Sequence, residues 1–367
     1  MARIGLGARW RCLFANEWCE KKSKAYRLNH GPSPELLVED VAKLTTSNLR
    51  GNPVLSWASF PCQDLSLAGL GRGLNGKRSG TFWPFWHLMK TLDEEGRGIP
   101  VIVLENVVGA LTSNRGLDFL VLFDTLTSSG YRVGPMVIDA VHFVPQSRQR
   151  LFIVAVKSYW RISSVLTRST PLDLWHPKPI RKAYETLPHG LRKFWIWWNM
   201  PSPPPGRLAL ASVIEKNPEG VRWHTSAETQ RLLSLMSDAN LRKVNKVQKF
   251  NEPVIGAVYK RTRRNEQGRV QRAEVRFDQV SGCLRTPVGG SSRQILLFVN
   301  GKEIRSRLLS PREGARLMGL PDDFKLPRNY NEAYHLVGDG LVVPVVSWLE
   351  QHLLYHLATR SLLLKAA

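Results

Sequence analysis

The sequence predicts an α/β fold, a mostly parallel sheet covered by helices on both faces, joined to a smaller second domain. Three observations predict it. Short apolar runs alternate with helical stretches through the first 156 residues. Proline-rich, tryptophan-rich and basic segments then break the alternation. Capped, apolar-faced helices return from Leu308 onward. Alternation of that kind means parallel strands with crossover helices, and proline-rich stretches cannot continue it.

The candidate strands are 12–15, 54–59, 101–104, 135–140 and 151–156, with helical stretches such as 20–29 and 116–129 between them. In sheets of this class ligands bind beyond the carboxyl ends of strands. Cys62 and Glu105 fall just past such ends. Residues 176–205 hold seven prolines and the cluster Trp195, Trp197, Trp198. Two basic runs follow, Arg242-Lys243 with Lys246 and Lys249, then 260–276 with seven basic and two acidic residues. Ser310-Pro311-Arg312-Glu313 reads as a helix start, with a serine cap, proline in the first turn and glutamate three residues on. The last helix begins near Pro344 and carries Val345, Val346, Leu349, Leu353, Leu354 and Leu357 on one face. The expected domains are therefore 1–158, the α/β part; 159–290, a module that contacts nucleic acid; and 291–367, a segment that packs back on the first.

Composition narrows the partners. The chain has 367 residues, 43% of them hydrophobic, enough for a packed core. Its 52 basic residues against 30 acidic give a net charge of +22, a field that favours polyanions, nucleic acid before membrane. No apolar stretch approaches the ~20 residues of a membrane span. Cys12, Cys19, Cys62 and Cys283 are scattered without CxxC pairing, against a zinc site or a disulfide framework and in keeping with a reducing cytoplasm.

The chemistry sits in three motifs. Pro61-Cys62-Gln63 ends the apolar run 54–60. Glu105-Asn106-Val107 ends the run 101–104. Gln146-Ser147-Arg148-Gln149-Arg150 opens the run 151–156. A lone cysteine is more often a core residue, a lone glutamate after a strand a cap, and an arginine pair a solvated flank. Together, a thiol, a carboxylate and paired guanidiniums at strand ends describe a covalent-catalysis site. The loop 69–80 follows the cysteine with five glycines and three basic residues, and lacks the GK[ST] of a phosphate-binding loop.

In this order the motifs resemble those of DNA (cytosine-5)-methyltransferases, and the resemblance covers nearly the whole chain. It implies a Rossmann-like methyltransferase fold dependent on S-adenosylmethionine, with 159–290 as a target-recognition domain. It implies that Cys62 adds to C6 of cytosine, making C5 able to attack a methyl donor. Glu105 then acts on ring N3, a task that needs a carboxylic acid whose pKa is raised by partial burial. Arg150 grips the cytosine O2, and Arg148 holds a phosphate or braces the cysteine loop. The target nucleotide must be rotated out of the duplex. The loop 69–80 closes over DNA, which places Gln63, Arg72, Lys77 and Arg78 with Arg261, Arg263 and Arg264 as DNA contacts. The cofactor is expected at Glu17, Trp18, Asp40, Val41, Phe60, Pro61 and Asp339.

Two departures stand out. The family opens with a strand and a Phe-x-Gly-x-Gly loop, whereas this chain opens Met1-Ala2-Arg3-Ile4-Gly5-Leu6-Gly7, like the tail of that motif. Without the strand and loop, weak cofactor binding is expected, and either the start lies upstream or the product is impaired. Second, Gly338-Asp339-Gly340-Leu341 stands where the family has Gly-Asn-Ser/Ala-Val. The partner is double-stranded DNA, the expected state a monomer in the cytoplasm of a prokaryote or phage at its nucleoid, and a cognate restriction endonuclease stays open. The rival readings are a catalytically impaired DNA-binding homologue and a tRNA cytosine-5 methyltransferase.

Overall fold

The computed structural model describes residues 1–60, 81–206, 208–250, 252–265, 268–285 and 293–363. In chain order the main elements are α1 (Ala2–Leu6), β1 (Ala15–Asn16), α2 (Glu20–His30), β2 (Leu36–Leu37), β3 (Leu55–Ser59), α3 (Phe82–Glu94), β4 (Val101–Asn106), α4 (Leu117–Ser128), β5 (Tyr131–Asp139) and β6 (Gln149–Lys157). Next come β7 (Thr167–Arg168), α5 (Lys178–Thr186), α6 (His189–Arg192), β8 (Trp197–Trp198), α7 (Ser226–Ser234), α8 (Asp238–Val247), β9 (Val254–Asn265), β10 (Gly268–Arg276), β11 (Ile295–Asn300) and β12 (Glu303–Leu308). The chain closes with α9 (Pro311–Leu317), α10 (Tyr330–Asp339), α11 (Val343–Leu349), a π turn Glu350–Leu354 and α12 (Tyr355–Leu363). No helix among the described residues is long and apolar enough to cross a membrane.

Two compact units divide the chain. The α/β unit comprises Ala2–Ile138, Gln149–Ser202 and Ser347–Ala367. Its main sheet has the order β3-β4-β6-β5. The run Val101-Ile102-Val103-Leu104 makes β4, whose six residues are all buried, as a strand covered on both faces requires. β3 lies parallel to β4, and β6 antiparallel to it. β6 sits beside β5, and only residues 140–148 join the two. A connection that short cannot hold the crossover that parallel neighbours need. β1 and β2 form a separate parallel pair, so the expected strand 12–15 shrinks to two residues. The outer edge of β3 has no strand neighbour among the described residues, and Leu55, Ser56, Trp57 and Ala58 are only half-buried.

The tryptophan-rich stretch falls in this unit, and the expected boundary at 158 does not match the division. The physical reason is that it covers the open edge of β5. Trp195 bridges Val133, Trp198 Nε1 donates to Gly134 O at 2.8 Å, and Trp175 O accepts from Val137 N–H at 2.9 Å. A Cβ at Gly134 would lie 2.1 Å from Trp198 Nε1, so only glycine admits the indole. The prolines end elements here; they do not start a new domain.

The second unit comprises Met1, Asp139–Arg148 and Pro203–Val346, so 291–346 belongs with it and not with the α/β unit. Its sheet has the order β10-β9-β11-β12, every pair antiparallel. Val258, Val275, Ile295, Leu297 and Val299 pack with Leu232 of α7, Met236 between the helices, and Val244 and Val247 of α8. β11 meets β9 only over 254–258, so 259–265 and 268–274 run on as a two-stranded ribbon. The expected start of α9 is present: Ser310 Oγ accepts from Glu313 N–H at 3.1 Å, and the Glu313 carboxylate accepts from Ser310 N–H at 2.8 Å. Arg307 holds the same carboxylate from a fully buried position.

Candidate active site

At the carboxyl end of β4 stand Glu105 and Asn106, both buried. In the antiparallel register Asn106 faces Leu151 of β6, which brings Arg150 alongside. Arg150 Nε lies 3.1 Å from Glu105 Oε1, and Nη1 donates to Gln149 O at 2.8 Å. Two of the expected catalytic groups are thus joined as an ion pair at one sheet end. Asn106 was not among the expected site residues. Its Nδ2 donates to Phe60 O at 3.0 Å, and its Oδ1 accepts from Val107 N–H at 2.8 Å. It therefore fixes the backbone at the end of β3, two residues before Cys62. Two residues of chain reach at most ~7 Å. Cys62, with Pro61, Gln63, Arg72, Lys77 and Arg78, lies outside the described residues.

Arg148 is engaged within the protein. Its guanidinium is buried and donates to Leu284 O (2.9 Å), Cys283 Sγ (3.3 Å), Gly338 O (3.0 Å) and Gly340 O (2.8 Å). Its backbone N–H donates to Asp139 Oδ1 at 3.0 Å. In the free protein this side chain holds protein carbonyls. Gln146 works beside it: Oε1 accepts from Leu284 N–H at 3.0 Å and Nε2 donates to Leu317 O at 2.8 Å.

The expected cofactor residues of the α/β unit gather at the ends of its small parallel sheet. Glu17 follows β1, and Asp40 follows β2 by three residues. One oxygen of each is used locally: Glu17 Oε1 accepts from Cys19 N–H and Asp40 Oδ1 from Ala42 N–H, both at 2.9 Å. Asn16 Nδ2 ties the two ends together through Leu37 O and Glu39 O. Trp18, next to Glu17, is 79% exposed, an indole face left to solvent. Carboxylates for ribose hydroxyls and a bare indole for a base fit a nucleoside, and so fit the adenosine half of S-adenosylmethionine. Val41 is half-buried and packs on the core, and Phe60 is buried with its ring 5.2 Å from Phe82. Asp339 is exposed and is the last residue of α10.

Of the expected DNA contacts, Arg261 is described in full. It is about half exposed, its guanidinium lies 4.6 Å over the Tyr259 ring, and its Nε is 3.8 Å from Glu274. Arg263 and Arg264 lie on β9, opposite Val270 and Arg269; their side chains are outside the described residues. Arg269 and Arg272 on β10 are exposed, and Arg272 pairs in register with Arg261. Cys12, Cys19 and Cys283 are free thiols.

A mixed α/β sheet with a carboxylate–guanidinium pair at its strand ends fits the class of methyltransferases that use S-adenosylmethionine. The profile of the C-5 cytosine-specific DNA methylases matches residues 2–354. The chain belongs to that family, whose members take their methyl group from S-adenosylmethionine. It is 25% identical over 346 residues to the type II methyltransferase M.BsuFI of Bacillus subtilis, 94% of this chain and 67% of that one. It is likewise 25% identical over 350 residues to M.MspI of a Moraxella species, 95% of this chain and 66% of that one. The chain thus spans about two thirds of those relatives' length. Among solved structures, a DNMT2 of Spodoptera frugiperda superposes with a TM-score of 0.58 at 18% identity, over 97% of this chain and 95% of that one. That likeness concerns the fold.

Proposed function

We propose that the protein transfers a methyl group to C5 of cytosine in double-stranded DNA through a covalent adduct between Cys62 and C6, with the target nucleotide rotated out of the helix. The observation that carries this reading is the Glu105–Arg150 pair beside Asn106, which holds the chain two residues before Cys62. C5 of cytosine is a poor nucleophile. Addition of the Cys62 thiolate at C6 places an electron pair at C5, and a hydrogen bond or proton from Glu105 to N3 withdraws charge from the ring as the bond forms. Arg150 holds Glu105 in the free protein and turns part of its guanidinium to the cytosine O2. Bound S-adenosylmethionine supplies an electrophilic methyl group. After transfer the C5 proton leaves to a base and the C6–S bond breaks, so Cys62 ends as it began. Rotation of the nucleotide costs a few kcal/mol, which contacts from the basic second unit offset.

Glu17, Trp18 and Asp40 hold the nucleoside of the cofactor in this reading, and Asp339 contributes from the end of α10. Residues 203–346 contact the DNA through the basic ribbon of β9 and β10.

The test is Cys62→Ser, assayed for transfer of labelled methyl to duplex DNA and to tRNA, with DNA mobility shift alongside. A serine hydroxyl is far less ionised than a thiol near neutral pH, so transfer should vanish while DNA binding stays. Turnover by the variant would remove Cys62 from the nucleophile's place. Methylation of tRNA in preference to DNA would replace the substrate.

A further inference from the structure

α10 ends in an unusual way for a helix whose next residue is glycine. Gly340 sits at φ −76°, ψ 171°, extended and not left-handed. The common glycine cap, in which a left-handed residue turns its N–H groups back onto the last carbonyls, is therefore not used. One bond of that kind remains, from Gly340 N–H to Val337 O at 3.3 Å. The last carbonyls of a helix carry partial negative charge and need donors. Arg148 supplies one of them, and a second bond just past the helix end. One guanidinium nitrogen, Nη2, donates to Gly338 O at 3.0 Å and to Gly340 O at 2.8 Å, the carbonyls on either side of Asp339. The other, Nη1, is anchored on Leu284 O and Cys283 Sγ. The base of the side chain is fixed as well: Arg148 N–H donates to Asp139 Oδ1, and Arg148 O accepts from Ala140 N–H, both at 3.0 Å.

We infer that Arg148 is a positioning residue: it caps α10 with a cation and so fixes the turn that presents Asp339 to the cofactor. The cofactor part of this inference rests on the proposed function; the capping part does not. A planar fork with several donors can serve carbonyls of two segments at once, and a lysine ammonium on a flexible stem cannot match that geometry.

The experiment uses Arg148→Met, Arg148→Lys and Asp339→Ala in the full chain. It reads amide hydrogen exchange across 336–341, S-adenosylmethionine affinity by calorimetric titration, and duplex DNA binding at several salt concentrations. Arg148→Met should speed exchange at Gly340 and its neighbours by about tenfold or more, the effect of losing hydrogen bonds to a charged group. It should weaken S-adenosylmethionine as much as Asp339→Ala does, and leave the salt dependence of DNA binding unchanged. Arg148→Lys, which retains the charge and one contact, should fall between and keeps the test usable if Arg148→Met does not fold. Unchanged exchange together with a salt slope lower by about 1 would overturn the inference, because Arg148 would then be meeting a phosphate. Faster exchange with unchanged cofactor affinity overturns it too, and Asp339→Ala locates the failure. If that variant binds the cofactor weakly, the capping does not position Asp339. If it binds normally, the assignment of Asp339 to the cofactor is what fails.

Discussion

Asn106 uses both ends of its amide on backbone, and its bond to Phe60 O is buried. Asn106→Ala leaves Phe60 O without its donor at a cost of about 1–3 kcal/mol. The melting temperature should fall accordingly. Single-turnover methyl transfer, measured well below that temperature, should fall further than stability alone explains, since the chain two residues before Cys62 loses its tether. Equal rates in the folded variant would show that Asn106 only stabilises. His176 is the second residue of this kind. It is fully buried, its Nδ1 accepts from Leu172 N–H at 2.9 Å, and its ring meets Trp197 edge-on at 5.0 Å. Burial, with Arg168 nearby, lowers its pKa to about 4. An unfolded histidine titrates near ~6.5. The unfolded state therefore binds the proton first, and stability that is full above pH ~6.5 is lost as pH falls toward 4. The loss is on the order of 3 kcal/mol. Urea melts from pH 7.5 to 4.5 on the wild type and His176→Gln should show this extra slope in the wild type alone. Glu105 and Arg150 were legible in the sequence because one closes an apolar run and the other opens the next. Asn106 was not, because its partner lies 46 residues away and an asparagine after a strand is an ordinary turn residue.

At the scale of elements, the second basic run is not a loop but both arms of a hairpin. Arg261 stands opposite Arg272, and Arg264 opposite Arg269. Like charges directly across a strand pair destabilise it by a few tenths to ~1 kcal/mol. Arg261 is turned to Glu274 at 3.8 Å and to the Tyr259 ring, contacts that offset its repulsion of Arg272 in the free protein. Changing Arg261, Arg263 and Arg264 together to Ala should leave the melting temperature equal or higher at low salt. It should also lower the log–log salt slope of duplex binding by roughly 3 if each meets a phosphate. A steady slope would leave the ribbon as a solvated face. The sequence showed the charge density but not the pairing, since arginines mask the period of two that marks a strand. The apolar runs behaved differently: 54–59, 101–104 and 151–156 became β3, β4 and β6 with ends moved by a few residues. What they did not encode was direction. β6 runs antiparallel to β4 because a short connection, not a helix, precedes it.

Over the whole molecule, the boundaries expected at 158 and 290 missed because membership of a unit is decided by which element covers which edge. Trp195 and Trp198 belong with β5 by contact, although their surroundings are proline-rich. The C-terminal helix was read more directly, since its apolar face repeats with helical spacing. Its role in the α/β unit is large. Leu349, Leu353, Leu354 and Leu357 are buried, Trp348 lies 4.6 Å from the Trp175 ring, and Trp160 Nε1 donates to Leu357 O at 2.8 Å. The π turn places the buried Glu350 carboxylate where Arg9 and Trp10 Nε1 reach it, at 2.5 and 2.8 Å, so the segment after α1 is fastened to the far end of the chain. Four buried leucines and a tryptophan contribute on the order of 10 kcal/mol of apolar burial. A whole domain is stable by only ~5–15 kcal/mol. Removing 347–367 should therefore abolish cooperative unfolding of the α/β unit. Limited proteolysis with mass spectrometry should then find cleavage spread through 2–138 and 149–202. The milder Glu350→Gln, which can still accept from Trp10 but loses the charge that Arg9 pairs with, should only lower the melting temperature. A truncated protein that melts cooperatively at the wild-type temperature would show that the α/β sheet is stable without its C-terminal helix, and that the burial counted here is replaced by other contacts.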